Sequence, residues 1–361
     1  MYSKPVCLFN VALLALTSTA FSLKLWEGYR YNVNHKIELK PSNITNLQYR
    51  FLAVFWLLRL ADWLQGPYFY EVFHSKVFYG IPASVDLVSK IFLIGFAVTG
   101  LFGPFLGRII DYYGRKKGTI VFTLLYTLSA LTTRSNNLCI VLAGRVASGL
   151  GTSLLFSAPE AWLVGEYKKQ QYGGKHLAEA FALAYAGDAV VAILAGQLAE
   201  KAAAAGGPSG PFLLSTVFLA AAGILAALSW EENTIHTVTE NTFYTLGNTR
   251  AHNITTTVQP MNNSNYSTAA THDGEKINYS ALPAFTAVLQ DRKILFLGLV
   301  QALFESAMYI FVLQWPVLMK SHISKHYSST ANLVIPYGTI FSCFMTSCLI
   351  GSTLFGLLQR S

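Results

Sequence analysis

Nine long apolar runs divide this 361-residue chain, and most are long enough to cross a bilayer. They fall at roughly Val6–Leu23, Arg50–Glu71, Leu87–Arg108, Gly118–Thr133, Leu138–Val164, Leu177–Glu200, Pro211–Trp230, Ile294–Pro316 and Pro336–Leu358. About 20 apolar residues span the hydrocarbon as a helix. Because lipid offers the backbone no hydrogen-bond partner, a helix is what such a run must form. Composition agrees: 53% of residues are apolar and 12% charged, about half the charged share of an ordinary soluble domain. The expected fold class is an all-α polytopic membrane protein. A leading helix (1–24) precedes a six-helix bundle (50–230), a polar linker (231–290) and two further helices (291–361).

The linker is read from composition. Asn and Thr supply 19 of the 50 residues from Glu231 to Ser280, too little apolar surface to fold, so disorder is expected there. Orientation follows from Lys and Arg. With the N-terminus outside, the inner loops hold 16 of them and the outer loops six; without the linker the ratio is still twelve to six. The formal charge of +8 then faces anionic lipid, and no nucleic-acid partner is needed. Lys4, an apolar run and Ser18-Thr19-Ala20 also fit a signal peptide, but cleavage would invert every later loop, so a spanning helix is expected. The sequons at Asn43, Asn253, Asn262, Asn265 and Asn278 would face the cytoplasm unmodified. Cys7, Cys139, Cys343 and Cys348 show no metal or disulfide spacing, and neither a metal nor a cofactor is expected.

One loop motif is sharper than the rest: Gly107-Arg108-Ile109-Ile110-Asp111-Tyr112-Tyr113-Gly114-Arg115-Lys116-Lys117. Gly107 and Gly114 permit tight turns and close approach, and Arg115 stands four residues from Asp111, within ion-pair reach. The stretch resembles the signature loop of the major facilitator superfamily, with Tyr112 where the pattern usually has Arg. The resemblance implies a cytoplasmic latch between two six-helix halves, in which Gly107, Asp111, Gly114, Arg115 and Lys116 take part. Only two helices follow the linker, so the chain is expected to be a fragment, a truncated gene product or a splice form.

Five ionisable side chains fall inside the runs: Arg59, Asp62, Arg145, Asp188 and Glu305. At roughly 2.5–3.5 kcal/mol each near a helix centre, exposing all five to lipid would cost on the order of 12–17 kcal/mol. They must face one another or a wet cavity. Arg59, Asp62 and Gln65 share one helix face by spacing, as do Gln301 and Glu305. Two readings of Asp62 and Arg145 stand: a structural buried pair, or part of a substrate path.

Several strings resemble one branch of that superfamily, the molybdate-anion transporter family. They are Ala61-Asp62-Trp63-Leu64-Gln65-Gly66-Pro67-Tyr68; Gly144-Arg145 with Thr152 to Trp162; Gln301-Ala302-Leu303-Phe304-Glu305-Ser306 with Trp315-Pro316; and Ile340 to Met345. Pro159 stands where that family usually has Phe. The resemblance implies uptake of molybdate or another small anion across the cell membrane. Arg suits a multi-oxygen anion, so Arg145, helped by Arg59, would attract it. Asp62, Asp188 and Glu305 would pair with the arginines in the empty state or carry coupling protons, and Gln65 and Gln301 would supply amide donors. Rival readings are another solute, since fold does not fix function, and a membrane scaffold that transports nothing. No catalytic residue is expected: no His lies near the Ser and Glu of the fourth bundle helix to activate a nucleophile.

Overall fold

The structure is a computed structural model that describes residues 4–34, 40–234, 289–326 and 335–359. Most of the expected linker, with the sequons at Asn253, Asn262, Asn265 and Asn278, lies outside the described residues. Helices α1 (Lys4–Asn34), α2 (Ser42–Gln65), the short α3 (Phe69–His74), α4 (Val85–Tyr113), α5 (Arg115–Thr132), α6 (Leu138–Leu155), α7 (Ala158–Lys169), α8 (Gly174–Gly206), α9 (Gly210–Ser229), α10 (Arg292–His326) and α11 (Tyr337–Gln359) make the chain all-α. The one exception among the described residues is a hairpin of β1 (Val77–Phe78) and β2 (Ile81–Pro82). It turns through Tyr79 and Gly80, both at positive φ, as a two-residue hairpin turn requires.

Three of the expected runs are longer or broken. The leading helix continues past residue 24 to Asn34. The Arg50–Glu71 run begins earlier, at Ser42, and ends at Gln65, where Gly66-Pro67 turns the chain into α3. The Leu138–Val164 run is two helices, because Pro159 in the first turn of α7 has no N–H to continue the ladder from α6. The Ser157 hydroxyl donates to the Ser153 carbonyl across this break, at 2.7 Å.

Burial explains why the molecule is a membrane protein and where its centre lies. Six helical stretches are long and apolar enough to span a bilayer, one of them, Gly174–Ser229, holding both α8 and α9. α2 and α5 are not among them. α2 carries Arg50, Arg59 and Asp62, and α5 begins Arg115-Lys116-Lys117. α2 tolerates its charges because other helices surround it: Leu47, Phe51, Val54, Phe55, Leu58, Ala61 and Leu64 are all buried. The outer helices are inverted relative to a soluble protein. Leu101 on α4, Leu124 on α5, Leu228 on α9 and Leu297 on α10 are largely exposed, an apolar exterior suited to lipid rather than water. The chain is a multi-pass membrane protein.

Small residues set the closest approaches. Ala180, Ala184, Ala192, Ala195 and Ala199 form a buried stripe on α8, interrupted only by Asp188, and let α8 lie against α2. The Trp56 indole N–H donates to the Ala184 carbonyl at 3.0 Å. α11 packs on α8 at the other end of the stripe, where Ser342 donates to the Ile193 carbonyl at 2.8 Å. The Glu200 carboxylate accepts from the Thr339 amide at 2.7 Å in the first turn of α11, an anion at a helix N-terminus.

Candidate functional site

The intramembrane charges form two clusters of opposite character. In the first, Arg59 of α2 meets Asp188 of α8 in a two-pronged contact, Nε to Oδ1 and Nη2 to Oδ2, both 2.9 Å. The Trp63 indole, one turn along α2, donates to the same Oδ1 at 2.8 Å. The Arg59 guanidinium also sits over the Trp63 ring, 5.0 Å from its centroid. Asp62 is 3.7 Å from Arg59 Nη1 and accepts from the Tyr126 hydroxyl of α5 at 3.0 Å. Thr152 of α6 places its Oγ1 2.8 Å from that hydroxyl.

The second cluster is a lone cation. Arg145 of α6 is 9% exposed and its guanidinium rests on the Phe69 ring of α3, 4.7 Å from the centroid. Its Nε is buried with no hydrogen-bond partner, and among the described residues it forms no ion pair. α4 makes room for it with Gly95, where a Cβ would stand 2.7 Å from Nη2. The structural Asp62–Arg145 pair is therefore not formed; Asp62 turns to Arg59 and Tyr126 instead. Through its hydroxyl, Tyr126 ties α5 and α6 to the Arg59 cluster.

Other expected site residues are spent elsewhere. Gln65 donates to the Ser215 hydroxyl of α9 at 3.0 Å, so shared spacing with Arg59 and Asp62 does not give it a shared destination. Gln301 donates to Glu305 at 2.8 Å within α10, and Glu305 pairs with neither arginine. α10 approaches the site through Tyr309, one turn on, whose ring lies 4.1 Å from that of Phe96. Sequence reasoning missed Tyr126 and Tyr309. Their one available signal was a hydroxyl in mid-run, which in an apolar helix needs a partner.

At the α4–α5 turn, Arg115 Nε donates to Asp111 at 2.9 Å, as the four-residue spacing implies. Gly114 sits at φ 126, which a side chain would strain, with the Glu232 carboxylate packed where its Cβ would be. That carboxylate accepts from the Lys116 and Lys117 amides at 2.9 and 3.1 Å. It neutralises a helix start that otherwise carries three cations against its dipole. The Lys116 ammonium donates to the Ala227 carbonyl at 2.7 Å. Gly107 has open space around its Cα and lies inside α4, so no close approach explains it. Residues 231–234 dock on the bundle: Trp230 stacks on Trp162 at 4.0 Å, and the Trp162 indole donates to the Glu231 carbonyl at 2.7 Å.

An essentially all-helical bundle with an apolar exterior and charged side chains among its inner helices defines a polytopic membrane protein. The chain belongs to the major facilitator family described as sugar transporters with 12 transmembrane segments, which matches residues 14–256 and 251–361. It is 30% identical to the molybdate-anion transporter of Takifugu rubripes over 85% of this chain and 59% of that protein. It is 28% identical to the molybdate-anion transporter of Xenopus tropicalis over 93% of this chain and 64% of that one. The chain thus spans less than two thirds of the length of the curated relatives it matches. A crystal structure of an auto-inhibited POT family peptide transporter is partly similar, with TM-score 0.43 and 14% identity, over 52% of this chain and 38% of that one.

Proposed function

We propose that this protein is a secondary transporter of a small oxyanion, and that molybdate, for which its relatives are named, is its substrate. One observation carries the reading: Arg145 is a buried guanidinium whose Nε has no hydrogen-bond partner and which, among the described residues, has no counter-ion. An unpaired charge in a membrane interior is costly and is kept for function. A tetrahedral oxyanion would accept from several of its N–H groups at once. Arg59 is committed to Asp188 and holds the frame. Asp62, at 3.7 Å from Arg59, is the less committed carboxylate and would carry the coupling proton. The latch residues Asp111, Arg115 and Lys116 would face the cytoplasm with the N-terminus outside, in the plasma membrane, and residues 50–230 would act as one bundle linked through 231–290 to the helices from 291 on. No catalytic step is part of the reading.

The test is uptake of labelled molybdate by cells expressing the protein, with sulfate, phosphate and a neutral sugar as competitors. The expected result is uptake that sulfate reduces, that sugar leaves alone, and that Arg145→Ala abolishes. Full uptake by Arg145→Ala refutes the assigned role. Competition by sugar alone shows that the substrate follows the family description instead.

A further inference from the structure

Two further cations without an ion pair among the described residues lie away from the Arg145 site, at the end of the bundle opposite the α4–α5 turn. Ser75 and Lys76 between α3 and β1, Thr133 and Arg134 after α5, and Ser209 before α9 line a cavity of about 140 Å³. Its lining includes no carboxylate. Among the described residues neither Lys76 nor Arg134 forms an ion pair, whereas other lysines of this end do: Lys320 with Glu71 at 3.1 Å and Lys90 with Asp86 at 2.6 Å.

Lys76 is held in place before any ligand arrives. It is 8% exposed. Its backbone carbonyl accepts from Ala83 at 2.9 Å across the base of the hairpin. Its ammonium donates to the Ser135 carbonyl at 2.8 Å and reaches Asn136 Oδ1 at 3.5 Å, leaving a third N–H uncommitted. Burial lowers the Lys76 ammonium from its ordinary value, and no carboxylate offsets this. Arg134 is exposed at the rim. Water takes about 30 Å³ per molecule, so the cavity has room for an anionic group of a few heavy atoms.

We propose that the Lys76–Arg134 cavity is a binding site for a small tetrahedral oxyanion, either a free anion or the phosphate of a lipid headgroup. A fixed buried ammonium and an exposed guanidinium at the rim give such an anion one point charge and one fork. The site does not depend on the role of Arg145.

The test is equilibrium binding of radiolabelled sulfate to the purified protein in phosphatidylcholine nanodiscs, on an Arg145→Ala background that removes the central cation. The expected result is saturable binding that Arg134→Gln weakens about tenfold, the loss of one charged hydrogen bond. Arg134→Lys should restore part of it, and Lys76→Gln with Arg134→Gln should abolish it. Repeating the measurement in phosphatidylglycerol nanodiscs separates the sources: sulfate displaced there identifies a lipid phosphate, and sulfate retained identifies a free anion. Arg134 is exposed, so Arg134→Gln tests the site even where Lys76→Gln fails to fold. Sulfate binding unchanged by Arg134→Gln, or absent both from the bilayers and from a detergent free of phosphate, overturns the proposal.

Discussion

Arg59 and Arg145 carry the same group into the same bundle, and the helices around them treat it in opposite ways. Arg59 has a carboxylate on both prongs, a second carboxylate at 3.7 Å and an indole beneath it. Arg145 has an aromatic ring, a bare glycine and no anion among the described residues. Removing one partner of a buried pair exposes the other to a solvent-poor interior, whereas removing a charge that has no partner relieves the fold. Substitution at the two positions should therefore move stability in different directions.

The largest effect is expected at the paired arginine. Asp188→Ala leaves Arg59 and the Trp63 N–H without their acceptor and should cost about 3–5 kcal/mol, read as a drop in Tm in detergent. A loss below about 1 kcal/mol would break the distinction between the clusters. Arg145→Met should leave Tm unchanged or raise it while weakening oxyanion binding about 100-fold, two lost charged hydrogen bonds. A large loss of stability there would mean that Arg145 is structural after all.

Smaller effects sharpen the same rule at the bundle end. Glu232→Ala uncovers the start of α5 and should cost about 1 kcal/mol, with amide exchange in Lys116–Thr119 accelerating first. The least effect belongs to Glu231, whose carboxyl the Lys169 ammonium holds below its ordinary 4.5. A depressed folded value means the contribution is full above 4.5 and fades as pH falls through the folded value. The pair is mostly solvated, at 71% side-chain exposure for Glu231, so it contributes about 0.2–0.5 kcal/mol. The Tm difference between Lys169→Met and the parent protein should vanish on acidification and persist at neutral pH.

The sequence marked the charges but not their partners. Arg59, Asp62, Arg145 and Asp188 are conspicuous because each interrupts an apolar run, and the cost of burial required them to be satisfied somehow. Which of them meet depends on how α2, α5, α6 and α8 rotate about their own axes, and spacing along one helix says nothing of that. Gln65 shows the limit: it shares the spacing of Arg59 and Asp62, yet it points to Ser215 on α9. The Asp111–Arg115 pair was legible because both partners lie within one turn. Glu232 was not, because it comes from 116 residues further along the chain.

What the sequence determined by itself is the solvent. Apolar runs of this length can satisfy their backbones only as helices and their surfaces only in lipid, so class and multi-pass character follow from local chemistry alone. What only the tertiary structure decided is the state of each buried charge. Electrostatics in a dry interior depends on which atoms stand within a few ångströms, and those atoms lie on six different helices, α2 to α6 and α8. The apolar runs imposed a helical bundle, and its packing alone paired Arg59 with Asp188 and left Arg145 without an ion pair among the described residues.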